Sequence, residues 1–149
     1  MYRVLPWMMV IAWAALIFMF SHQPAQVSKG LSVATTEFVI ETMEKMSPDH
    51  GFEVSDLHRV VRKHAHFWLY LVLGIQVVHS VSLRSELRLR HVLIAFVCCV
   101  AYAISDEIHQ LYVPGRGAQA SDVLIDSAGV IVGIALYGLI SRFSRKITH

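Results

Sequence analysis

Four apolar blocks decide what this chain can fold into. Residues 4–20 run for 17 positions without a charge, and residues 66–83 carry only uncharged polar groups and histidine among their apolar side chains. Residues 91–105 form a third block, which continues through Asp106-Glu107 to Val113, and residues 123–140 form a fourth whose one charge is Asp126. Crossing a bilayer takes about 20 mostly apolar residues in a helix, with roughly 17 as the lower bound. Each block reaches that length once a flanking turn is added. The pattern predicts an all-α membrane protein, a four-transmembrane-helix bundle with spans at about 4–22, 63–83, 91–112 and 121–141, in a single domain covering 1–149.

Composition agrees. Hydrophobic residues make up 55% of the 149 and charged residues 16%, where a soluble domain has about 25% charged. That excludes a disordered chain. The net charge of +2 is too small to suggest a nucleic-acid partner. Cys98 and Cys99 are chain neighbours inside an apolar block, where a disulfide would require a strained ring. The first block could be mistaken for a signal peptide. However, its basic flank is Arg3 alone, its apolar run exceeds the usual 7–15 residues, and no small-x-small cleavage site follows. It reads as an uncleaved span.

Basic residues set the expected orientation. Residues 1–3, 83–91 and 141–149 hold seven Lys or Arg in 21 positions, against six in 52 positions over 21–64 and 113–120. Both termini should therefore be cytoplasmic, with the connections 21–64 and 113–120 facing outward. Arg59, Arg62 and Lys63 run against this bias. The first connection is too long to lack structure. Leu31, Thr35, Phe38 and Thr42 share one helical stripe, so an amphipathic interfacial helix is expected in this extracytoplasmic loop. A further helix should start near Ser55-Asp56 and continue into the second span.

The polar residues gather at one depth. The first span ends in Ser21-His22-Gln23, and the second begins with Arg62-Lys63-His64-Ala65-His66 followed by Tyr70. The third ends in Asp106-Glu107-Ile108-His109-Gln110, and the fourth opens on Asp122 with Asp126 one turn deeper. At 1.5 Å per residue these groups lie within roughly 10 Å of one membrane surface. Spacing aims them: Lys63, His66 and Tyr70 share a face, as do Asp106, His109 and Gln110. Asp122, Asp126, Gly129 and Gly133 form one stripe, and Gly129-x-x-x-Gly133 permits close helix approach, so that stripe should face the bundle interior. A water-accessible polar pocket in the outer half of the bundle is expected.

Ionisable groups inside a membrane are costly and commonly functional. Each also has a plainer role: His66 as a packing histidine, Asp122 at a helix start, and Arg62 and Lys63 against lipid headgroups. Taken together, His66, Asp106, Glu107, His109, Asp122 and Asp126 are candidates for a reactive centre. Arg62, Lys63 and Arg116 are candidate anion contacts, supported by Ser21, Gln23, Tyr70 and Gln110. Two chemistries suit the set. Carboxylates and imidazoles can hold a divalent metal, although no fixed metal signature is present. Alternatively, the basic residues could hold a phosphate or carboxylate while His66 or His109 moves a proton.

The motifs are similar to those of the VanZ-like family. Arg62-Lys63-x-Ala65-His66-Phe67-x-x-Tyr70-x-x-Leu73-Gly74 resembles its second-span motif. Asp106-Glu107-x-His109-Gln110-x-x-Val113-Pro114-Gly115-Arg116, followed by Asp122 and Gly129-x-x-x-Gly133, resembles its third-to-fourth-span motif, and Phe20-Ser21-His22-Gln23-Pro24 its first-span end. Leu69, where many members are acidic, and Asp126, where many carry asparagine, depart from the pattern. The resemblance implies a small multi-pass protein of the bacterial cytoplasmic (inner) membrane, within the cell envelope. The family is named for a member linked to teicoplanin resistance, so antibiotic resistance is an association by resemblance. The expected role is binding of an anionic, lipid-linked envelope precursor beside membrane lipids. The alternatives are a hydrolase or transferase acting on phosphate or glycan headgroups, and a non-catalytic scaffold.

Overall fold

The computed structural model describes residues 4–23, 54–83 and 85–147. The interfacial helix expected around Leu31–Thr42 lies outside them. The described residues form four helices in order: α1 (Val4–Ser21), α2 (Val54–Ser82), α3 (Leu89–Gln110) and α4 (Ala120–Ile147). No strand occurs among the described residues. The stretches Val4–Ser21, Val60–Ser82, Leu89–Gln110 and Ala120–Phe143 are each long and apolar enough to cross a membrane. Their lengths of 18, 23, 22 and 24 residues bracket the bilayer requirement.

The second helix, α2, is the hub, and each of the other three packs against it. Its closest partner is α4, for a reason visible in the sequence. A Cβ at Gly129 would overlap the Phe67 carbonyl oxygen, and one at Gly133 would overlap that of Leu71. On the opposing face, a Cβ at Gly74 would come within 2.9 Å of the Val130 carbonyl oxygen. Without side chains at these three positions, the two backbones touch. The stripe running from Asp122 and Asp126 to the glycines therefore does face the interior. Tyr70, Leu73, Val77, Val78, Ala95, Cys99, Ala103, Val130 and Ile134 form the buried core below the polar layer.

The apolar surface of α1 runs all round it, with only Ile17 and Ser21 buried. Such a helix has no polar face to turn toward water, which suits a lipid-exposed span. Two hydrogen bonds hold its middle. The Trp13 indole N–H donates to the Leu69 carbonyl on α2 (2.9 Å), and the Tyr102 hydroxyl on α3 donates to the Ala14 carbonyl (2.7 Å). At the opposite end of the bundle, α3 starts where the Arg88 backbone N–H donates to His91 Nδ1 (3.1 Å), which satisfies a group just before the helix.

Candidate functional site

The connection between α3 and α4 is built to place one side chain. In Val113-Pro114-Gly115-Arg116, the Arg116 N–H donates to the Val113 carbonyl at 3.1 Å, and Gly115 has φ of 76°. Proline second and a positive-φ glycine third make a type II turn. This turn carries Arg116 back over the end of α1, where Nη2 donates to the Phe20 carbonyl oxygen at 3.1 Å. Its Nε and Nη1 are buried and find no acceptor among the described residues. Burial, and then the Arg62 charge nearby, hold the guanidinium below its usual pKa, while Asp106 and Glu107 act the other way.

Beneath it the acidic residues divide their tasks. Glu107 uses both oxygens: one accepts the Gln119 backbone N–H at the start of α4 (2.9 Å), and the other accepts Gln110 Nε2 (3.2 Å). A carboxylate at that place satisfies an orphan N–H and complements the positive end of α4. Asp122 pairs with Lys63 at 2.9 Å and accepts from Ser121 Oγ at 3.1 Å. Lys63 also reaches Ser121 Oγ (3.2 Å), so α2 and α4 are clamped at their shared end. Asp106 accepts Ser21 Oγ (2.7 Å) and Gln110 Nε2 (3.3 Å) on one oxygen, while its other oxygen is buried without a partner.

One turn deeper the groups are left open. Asp126 has no exposed surface, lies 3.7 Å from His66 Nδ1, and makes no hydrogen bond through either oxygen. His66 stacks beside Tyr70 (centroids 6.3 Å, 21° between planes), and the fully buried Tyr70 hydroxyl is also unpartnered. Asp106 lies close enough for its charge to be felt at His66, Tyr70 and Asp126. Buried polar groups are nearly always satisfied, and an unsatisfied one costs about 1–3 kcal/mol. Four such residues together mark a place built at the expense of stability.

The sequence reading and the structure part in three places. Among the described residues, the place of the expected wet pocket holds a narrow crevice of about 170 Å³ between Arg62, Lys63, His66, Asp122, Ile125 and Asp126, too tight for a water molecule. Long side chains close over the space that helical spacing alone leaves open. His109 does not join the centre either. It turns to α1, where its Nε2 lies 3.0 Å from His22 Nδ1 and its ring packs on Phe18 at 4.6 Å. The Gln23 side chain makes no hydrogen bond among the described residues, and its backbone N–H donates to Phe20. His22, Tyr102, Gln119 and Ser121 were not among the candidate residues. His22 sits in the same polar run, Ser21-His22-Gln23, as Ser21, and Tyr102 precedes Asp106 by one helical turn, a spacing that could have included it. Among the described residues, no three His, Cys, Asp or Glu side chains converge as metal ligands.

A comparison with known families matches residues 6–141 to the model described as VanZ/LLP1. No curated protein and no solved structure matches.

Proposed function

The chain belongs to the VanZ/LLP1 family, and from that premise and the site geometry we propose that its polar end binds the anionic headgroup of a lipid-linked envelope molecule. One observation carries this reading. Arg116 keeps two buried donors, Nε and Nη1, without an acceptor, and neither Arg116 nor the nearby Arg62 has an ion pair with a carboxylate among the described residues. Lys63, by contrast, is neutralised by Asp122. Two guanidiniums with no ion pair among the described residues would form a socket for a group with several acceptor oxygens, and phosphate suits their planar donor forks best. The apolar faces of α1 and α3 beside the socket would hold the lipid portion of the same molecule.

The sidedness that goes with this role puts both termini in the cytoplasm and the Arg116 turn outside, in the bacterial inner membrane. By family resemblance it extends to glycopeptide susceptibility, with raised teicoplanin tolerance as the phenotype to seek on expression. The test is a thermal melt of the purified full chain with a polyprenyl phosphate. Stabilisation of the unmodified protein, lost in the Arg62→Gln/Arg116→Gln double variant, is expected. No stabilisation of either protein would overturn the proposal.

A second reading rests on the His66–Asp126 pair and the free Tyr70 hydroxyl beside it. A histidine next to a carboxylate can relay a proton to or from a bound headgroup. In that case His66→Gln abolishes headgroup turnover but leaves polyprenyl phosphate binding intact.

A further inference from the structure

At the end of the bundle away from Arg116, α3 and α4 leave between them an open groove of about 650 Å³. Its walls include Leu87, Leu93, Phe96, Ile134 and Gly138, and its one charged lining residue is Arg142. The room comes from Ala135 and Gly138 on α4, where larger side chains would fill it. A Cβ at Gly138 would meet only the Leu87 side chain, at 3.5 Å. From Ile131 to Arg142 the groove follows α4 for 12 residues, about 16 Å at a rise of 1.5 Å per residue. One leaflet of a bilayer's hydrocarbon core is about 15 Å thick. Arg142 thus stands where a lipid chain lying in the groove would reach its headgroup, and it has no ion-pair partner among the described residues.

We propose that this groove is a binding site for one anionic glycerophospholipid, its acyl chain along Phe96, Ile134 and Gly138 and its phosphate on Arg142. The length match specifies a lipid of the leaflet at the Arg142 end, and the lone guanidinium specifies a negative headgroup. This site is independent of the Arg62 and Arg116 socket, since it lies at the other end of the bundle and shares no residue with it.

The test is native mass spectrometry of the detergent-released full chain, offered equal amounts of phosphatidylglycerol and phosphatidylcholine. The unmodified protein should retain one phosphatidylglycerol with about a fivefold preference, the size of one guanidinium's attraction to an anionic lipid. Arg142→Gln should level the two lipids, and Ala135→Phe should reduce retention of both. Equal retention by the unmodified protein would overturn the proposal. So would a preference that survives Arg142→Gln but disappears in Arg62→Gln/Arg116→Gln, or a dimer that forms in place of the lipid adduct.

Discussion

Asp126 on α4 stands 3.7 Å from His66 on α2, wholly buried, and neither of its oxygens accepts a hydrogen bond. That distance allows charge attraction but exceeds hydrogen-bond length. Burying an ion costs several kcal/mol, and the return is full only when geometry and hydrogen bonding are both good. Here the geometry is loose and the hydrogen bonds are missing. Asp126 therefore weakens the fold that carries it.

Asp126→Asn, which keeps the shape and removes the uncompensated buried charge, should raise the melting temperature in detergent. The same variant should keep the stabilisation conferred by a polyprenyl phosphate, because the phosphate is held by Arg62 and Arg116 and the neutral amide side chain does not repel it. A lowered melting temperature would instead make the carboxylate a structural partner of His66, as a scaffold reading requires.

Ser21→Ala should have the opposite sign to Asp126→Asn. The Ser21 hydroxyl donates to Asp106 at 2.7 Å in a buried setting and ties α1 to α3. Losing a hydrogen bond to a charged group costs about 1.5–3 kcal/mol. Thermal melts in the same detergent check this, and an unchanged melting temperature would mean that the other contacts of α1, from Trp13, Tyr102, Arg116 and His109, hold it without Ser21.

The glycine contact between α2 and α4 makes a sharper comparison. Gly129→Ala pushes a methyl group into the Phe67 carbonyl, while Gly117→Ala meets nothing within 4 Å. Overpacking costs about 1–3 kcal/mol, so Gly129→Ala should melt clearly earlier, whereas Gly117→Ala should match the unmodified protein. Equal melts for the two would show that the helices separate freely.

Much of this architecture was legible in the sequence, because hydrophobic length and helical period are local properties. The four helices fall where the apolar blocks stand, and the Asp122-to-Gly133 stripe faces α2 as its spacing required. The site was only partly legible. Asp106, His109 and Gln110 share a face at helical spacing, yet Asp106 turns to Ser21 while His109 turns to His22. Spacing fixes where a side chain starts but not which neighbour captures it. In the same way, Glu107 could not be separated from Asp126 by sequence, since its role as a cap for α4 depends on how the Pro-Gly turn returns the chain.

Orientation has its own test. In a chain carrying Cys98→Ser and Cys99→Ala, a membrane-impermeant maleimide should label Gly117→Cys in intact cells, and Arg142→Cys only after permeabilisation. The reverse pattern would put the Arg116 end in the cytoplasm and remove envelope precursors of the outer leaflet from consideration.

The most direct measurement of anion binding compares a polyprenyl phosphate with the uncharged polyprenol of equal length, by equilibrium binding to the full chain in detergent. A phosphate held by Arg62 and Arg116 should bind at least about tenfold tighter than the alcohol, since one charge-assisted hydrogen bond is worth about 1.5 kcal/mol or more. Arg116→Gln should remove most of that difference. Equal affinity for the two lipids would contradict a headgroup site at this end of the bundle.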